Sequence, residues 1–213
     1  LTESAKLWIE GPAGRLEAAL RLACPARAAA VLAHPHPSFG GSLQNPVIFH
    51  ADRELNRAGF LTLRFNFRGT GTSEGVHDEG RGEPDDVGAA VAWVRKVARD
   101  LAVVLVGYSF GASCALRYAR RETAARGVVA VGLPLRLLPV EDIARVPLKL
   151  AVVQGSEDEF GPAAELRRAI APLGLRARLY EVPDASHLFP GRAQEVASLV
   201  VEAALWCLRS DED

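Results

Sequence analysis

A serine, an aspartate and a histidine stand out in the 213-residue sequence, each placed just after an apolar run. Ser109 is the centre of Gly107-Tyr108-Ser109-Phe110-Gly111. A Gly-x-Ser-x-Gly pattern alone carries little information, but this one follows the aliphatic run Leu101–Val106 and precedes a helical stretch. A serine on a sharp strand-to-helix turn is presented for reaction, and small residues two positions either side let strand and helix approach closely. The helix that follows aims its free N–H groups at the reacting atoms. A serine hydroxyl is a weak nucleophile and needs an adjacent base. His187, in Pro183-Asp184-Ala185-Ser186-His187, is the sole histidine downstream of Ser109. The base in turn needs an acid to orient it. Asp158 fits, in Gly155-Ser156-Glu157-Asp158 after the run Lys149–Gln154. Glu157 and Glu159 are rival acids, and the spacing from Gly155 favours Asp158. The chemistry these three groups support is two-step acyl transfer. Ser109 attacks a carbonyl, His187 takes its proton, Asp158 steadies the imidazolium, and water releases the acyl group.

Acyl transfer also needs two donors for the developing oxyanion. The backbone N–H of Phe110, directly after the serine, is expected to be one. The other is expected from His34-Pro35-His36-Pro37-Ser38-Phe39-Gly40-Gly41, which follows the apolar run Ala28–Ala33. Pro35 and Pro37 carry no N–H. His36 is the first choice, with Phe39 or Gly40 next. His34 and His36 also read as a metal-binding pair, but no third ligand follows at a convincing spacing. His34 reads more simply as part of a Pro- and Gly-rich turn.

The elements that must position these residues alternate along the chain. Lys6–Glu10 and Arg15–Arg21 read as two antiparallel strands joined at Gly11-Pro12-Ala13-Gly14. Ala28–Ala33, Phe60–Asn66, Leu101–Val106, Gly127–Leu133, Lys149–Gln154 and Leu175–Val182 read as further strands. Helices are expected from Asn45-Pro46 to Gly59, from Pro84 to about Arg99, and over Phe110–Arg121, Pro162–Ala171 and Arg192–Leu208. Such alternation implies a mostly parallel sheet of about eight strands with helices on both faces. Ligands then bind at the carboxyl edge of the strands. Gly69–Glu83 reads as a flexible loop, and its Gly-x-Gly fails as a phosphate loop at Glu74. Between the strands ending at Leu133 and starting at Lys149 lie only Pro134–Leu148, with Pro134, Pro139 and Pro147. Too few residues remain there for a cap domain, and Val140–Ala144 has room for about one helical turn.

Composition bounds the function. The 213 residues fit a single domain, 1–213. Apolar residues are 49 %, charged residues 24 % and the net charge is −1, so no basic field attracts nucleic acid or an anionic membrane. No run of about 18 apolar residues exists to span a membrane, and Leu1-Thr2-Glu3-Ser4 does not open a signal peptide. Cys24, Cys114 and Cys207 form no disulfide pattern, which points to a reducing, cytoplasmic compartment.

Six segments carry a family resemblance: HPHPSFGG at 34–41, RFNFRGTGTSEG at 64–75, DEGRGEPDD at 78–86, GYSFGA at 107–112, GSEDEF at 155–160 and DASHLFPG at 184–191. The sequence resembles small bacterial α/β-hydrolases of the dienelactone-hydrolase-like group, and the first two segments are specific to that group. The resemblance implies the α/β-hydrolase fold with an eight-stranded sheet. It also implies hydrolysis of an ester or related acyl bond by Ser109, Asp158 and His187. Two departures matter. Dienelactone hydrolases proper use a cysteine nucleophile where this chain has Ser109, and relatives often carry an acid where it has Ser186. The expected activity is cleavage of small carboxylic esters without metal or organic cofactor. Thioesterase, acyltransferase or peptidase chemistry on the same three residues is the alternative, as is a non-catalytic interaction module. The expected partner is a small-molecule ester, with a homodimer as the candidate assembly.

Overall fold

The computed structural model describes residues 3–122 and 124–210. A hairpin of β1 (Ala5–Gly11) and β2 (Gly14–Arg21) opens the chain. Then come β3 (Ala28–Ala33), α1 (Pro46–Arg57), β4 (Phe60–Phe65), α2 (Glu83–Val97), β5 (Val103–Tyr108) and α3 (Phe110–Arg121). β6 (Gly127–Val131), α4 (Val140–Ala144), β7 (Lys149–Gly155), α5 (Ala163–Ile170), β8 (Ala177–Val182) and α6 (Ala193–Leu208) complete it. The strands form one eight-stranded sheet in the order β1-β2-β4-β3-β5-β6-β7-β8. β1 with β2 and β2 with β4 are antiparallel, and every other pair is parallel. The expected architecture is present, including the absence of a cap: Pro134–Leu148 holds only a 3₁₀ turn, Leu135–Leu137, and α4.

Strand residues sort by parity, because successive side chains point to opposite faces. Val103 and Leu105 of β5 join a core with Val91 and Val94 of α2 and Leu116 of α3. Val104 and Val106 join the other core, with Ile48 and Leu55 of α1 and Val200 and Ala203 of α6. Both faces of the central strands are therefore buried, which is why they read as unbroken apolar runs. α1 starts where Asn45 Oδ1 accepts the N–H groups of Val47 and Ile48, with Pro46 at the first helical position. At the hairpin side, the Asp52 carboxylate is buried. It receives Arg21 Nη2 at 3.0 Å, Arg64 Nε at 3.2 Å and the hydroxyl of Thr62. The ion pairs lock β2 and β4 to α1.

Register decides what meets at the carboxyl edge. Tyr108 pairs with Val131, Val131 with Val153, and Gly155 with Val182. The chain thus leaves β5, β7 and β8 on the same side of the sheet.

Four sequence expectations need correction. β5 runs Val103–Tyr108 rather than Leu101–Val106, because Leu101 N–H is taken by Ala98 O in the preceding turn. β6 stops at Val131 rather than Leu133, since Gly132 turns to a φ of 52°. β8 starts at Ala177 rather than Leu175. The Gly69–Glu83 stretch is not a loose loop. Its Glu74 N–H donates to Arg15 O at 2.8 Å and its Glu74 carboxylate receives Arg15 Nη2 at 2.8 Å. Ser73 Oγ accepts Glu17 N–H at 2.9 Å, and Glu83 accepts the N–H groups of Asp78 and Gly80 at 2.6 and 2.8 Å.

Candidate active site

Ser109 sits between β5 and α3 with φ 54° and ψ −113°. A residue with a side chain tolerates positive φ only where its surroundings hold it there. Here they do. Ser109 N–H is bonded to Val131 O at 2.8 Å, and its carbonyl receives Ala112 N–H at 3.0 Å. The two flanking glycines permit the turn: a Cβ on Gly107 would lie 2.4 Å from Gly111 O, and one on Gly111 would lie 2.3 Å from Ala33 O. No other residue type fits at either place.

The structure brings the three expected side chains together. Ser109 Oγ lies 2.8 Å from His187 Nε2, and His187 Nδ1 lies 2.9 Å from Asp158 Oδ2. Asp158 and His187 are buried. With the ring proton on Nδ1 and donated to Asp158, Nε2 is left to accept the serine hydroxyl. Of the three neighbouring acids, Asp158 reaches the ring. Glu157 is exposed, and Glu159 instead accepts the backbone N–H of His187 at 3.0 Å. That hydrogen bond holds the Glu159 carboxyl below its ordinary range. Nor does Asp158 cap α5; its Oδ1 accepts Phe160 N–H at 2.8 Å in the turn before that helix.

Two residues that the sequence reading did not single out hold this arrangement. Gln154, fully buried at the end of β7, donates from Nε2 to Asp158 Oδ2 at 2.9 Å and to Gly161 O at 2.7 Å, while its Oε1 accepts Leu133 N–H at 2.8 Å. Tyr108 donates its hydroxyl to His187 O at 3.0 Å, and burial raises its phenol above the ordinary value. The one hint in the sequence was a polar Gln closing an aliphatic strand.

The loop after β3 is equally constrained. The N–H groups of Phe39 and Gly40, both considered as oxyanion donors, are taken by His36 O at 3.1 Å and Pro37 O at 3.0 Å. Among the described residues, the N–H groups of His36 and Phe110 have no acceptor. The rings of these two residues lie 4.9 Å apart, so they are neighbours beside Ser109. His34 is fully buried, with Nε2 accepting Phe67 N–H at 3.1 Å and Nδ1 2.6 Å from Pro35 O. Both nitrogens are therefore engaged, and burial pushes this imidazole down to about 4. No cluster of three or more metal-ligating side chains forms among the described residues. A cleft of about 590 Å³ opens over Ser109, bordered by His36, Phe110, Leu138, Phe160 and His187.

Residues 26–204 match the family model described as an alpha/beta hydrolase domain. The chain belongs to the α/β-hydrolase family. A solved serine hydrolase of this family from Xanthomonas campestris, described as having no lid, is 31 % identical; the match covers 99 % of this chain and 98 % of that one, with a TM-score of 0.87. An α/β serine hydrolase homologue from Coxiella burnetii is 28 % identical over 95 % of this chain and 98 % of its own, again with a TM-score of 0.87. A dienelactone hydrolase from Anabaena variabilis shares the fold at 24 % identity, covering 97 % and 99 % of the two chains with a TM-score of 0.82. An uncharacterised protein of Rickettsia prowazekii (strain Madrid E) is 28 % identical over 92 % of this chain and 86 % of its own. The capless α/β-hydrolase architecture agrees with the sequence resemblance. No helix among the described residues is long and apolar enough to cross a membrane.

Proposed function

We propose that this α/β-hydrolase is a serine hydrolase that cleaves small carboxylic esters through an acyl-enzyme on Ser109. The hydrogen-bonded chain Asp158–His187–Ser109, at 2.9 and 2.8 Å, carries the reading. In the forward step Ser109 Oγ bonds to the ester carbonyl carbon while its proton passes to His187 Nε2. The N–H groups of Phe110 and His36 receive the oxyanion, whose charge a low-dielectric site feels strongly. Collapse of the intermediate expels the alcohol, which takes the proton back from His187. Water, deprotonated by the same ring, then releases the acid. Asp158 keeps the Nδ1 proton in place and stabilises the imidazolium. None of these steps calls for a metal or organic cofactor. A cytoplasmic setting is in keeping with three unpaired cysteines, two of them buried.

The test is kinetic. Ser109→Ala is expected to fold as the parent does and to lose about 10⁶ in kcat, the cost of removing a triad nucleophile. Asp158→Asn is expected to lose roughly 10⁴ in kcat with little change in stability. An Asp158→Asn enzyme at near-parent rate would pass the orienting role to another acid. A Ser109→Ala enzyme that keeps a few per cent of its turnover would refute the mechanism.

A further inference from the structure

Another hollow opens at the far edge of the sheet. The triad stands at the carboxyl ends of the strands, whereas this hollow lies at their amino ends, roughly 17 Å away along β5. It measures about 510 Å³. Its border carries the cations Arg95, Arg99, Arg126, Lys149, Arg176 and Arg209 against a single acid, Asp100. The whole chain has a net charge of −1, so this concentration is local. Arg95 sits in the last turn of α2 and Arg99 just beyond it, Arg126 and Arg176 precede β6 and β8, Lys149 opens β7, and Arg209 follows α6. Cations at the ends of α2 and α6 suit the negative poles of those helices. Arg126 and Arg176 end no helix, so helix dipoles do not account for the set. Arg95, Arg99, Arg126 and Arg209 are exposed, and none pairs with a carboxylate among the described residues. Lys149 is buried beside them. Its ammonium donates to Arg209 O at 2.8 Å and lies 5.6 Å from the centre of the Trp206 ring, which ties the end of α6 to β7.

We infer that this hollow is an anion site for a chain of two or more phosphates. The site is separate from Ser109 and independent of the hydrolase reading. A guanidinium pairs with phosphate oxygens through two parallel N–H bonds. Several such forks around one hollow suit an anion with several charges better than a lone carboxylate. Concavity matters as well, because cations on α2, α6 and the strand starts can reach one ligand from different sides. The volume lies in the range of small-molecule sites. The apolar part of the border is aliphatic, with Leu101, Val103 and Leu148, and holds no aromatic ring on which a base could stack. Recognition therefore falls on the phosphate chain, and a nucleoside attached to it adds nothing.

Isothermal titration calorimetry of the full chain with tripolyphosphate, at neutral pH and low ionic strength, decides it. One site per chain is expected, with orthophosphate at least about tenfold weaker because a single phosphate engages fewer forks. ATP should bind no tighter than tripolyphosphate, and added salt should weaken both. Arg126→Gln with Arg209→Gln should weaken tripolyphosphate at least about tenfold, through the loss of two charge-assisted contacts. Both side chains are exposed, so melting and labelling at Ser109 should stay as in the parent. Arg81→Gln with Arg136→Gln removes the same charge at the carboxyl edge of the sheet and should change the affinity less than about threefold. Equal weakening by the two pairs would reduce the binding to a general charge attraction and overturn the inference. ATP binding markedly tighter than tripolyphosphate would overturn the assignment to the phosphate chain. No saturable binding by the full chain would overturn the site itself, including the case in which Asp211-Glu212-Asp213, next in sequence after Ser210, satisfy the cations.

Discussion

Individual side chains at this site are held by partners on several elements, and each partner constrains a chemical state. His34 is the plainest case. Its Nε2 must be unprotonated to accept Phe67 N–H, and burial pushes the ring down to about 4 from an ordinary 6.5. The unfolded chain therefore binds a proton between those values that the folded chain refuses. The stability tied to His34 is complete above about pH 6.5 and is lost as pH falls toward about 4. The loss amounts to about 3 kcal/mol. Urea unfolding at neutral pH and near pH 4 measures it. A His34→Gln protein is expected to start less stable yet to lose less on acidification. An equal acid loss in both proteins would assign the sensitivity to other groups. At this scale much was legible: Ser109, Asp158 and His187 could be picked out because their chemistry restricts residue type and order. Gln154 and Tyr108 could not, since a polar atom at a strand end has no meaning until its distant partners are placed. Gln154 serves Leu133, Asp158 and Gly161, and only the fold brings them together.

Elements matter here as rigid carriers. The β5–α3 crossing is so close that its two glycines have no substitute, and Gly107→Ala sets the test. A Cβ 2.4 Å from Gly111 O forces α3 away from β5. Destabilisation of about 1–3 kcal/mol is expected, as for overpacking elsewhere in a tight core. Activity should fall further than stability, because the turn carries Ser109. Unchanged melting and turnover would mean that the crossing has more slack than its geometry allows. The strand and helix pattern was readable because apolar runs and helical periodicity are local properties. α3 and α4 were expected at Phe110–Arg121 and Val140–Ala144, where they are found. The antiparallel pairing of β2 with β4 and the order of Gly69–Glu83 were not readable. Both depend on contacts far apart in sequence, such as Arg15 with Glu74 across 59 residues.

For the whole molecule, the decisive feature is what does not cover the site. Pro134–Leu148 folds into a 3₁₀ turn and the single turn of α4, tied down by Asp142 to Arg117 and Arg120 of α3. No described residue closes over the cleft, so methylenes beyond it stay in water and forgo about 0.8 kcal/mol each. Acetyl and butyryl p-nitrophenyl esters are therefore expected to exceed dodecanoyl and palmitoyl esters in kcat/KM, with no activation at a lipid interface. A steady rise with chain length past about eight carbons would reveal an acyl pocket that the described residues do not form. The central claim is that Ser109 is the nucleophile, and one measurement addresses it most directly. The parent protein and Ser109→Ala are treated with a fluorophosphonate, and intact mass and peptide mapping locate the adduct. A single adduct on the Gly107–Gly111 peptide of the parent, absent from Ser109→Ala, is the expected result. Equal labelling of both proteins, or an adduct mapped to any other residue, would contradict it.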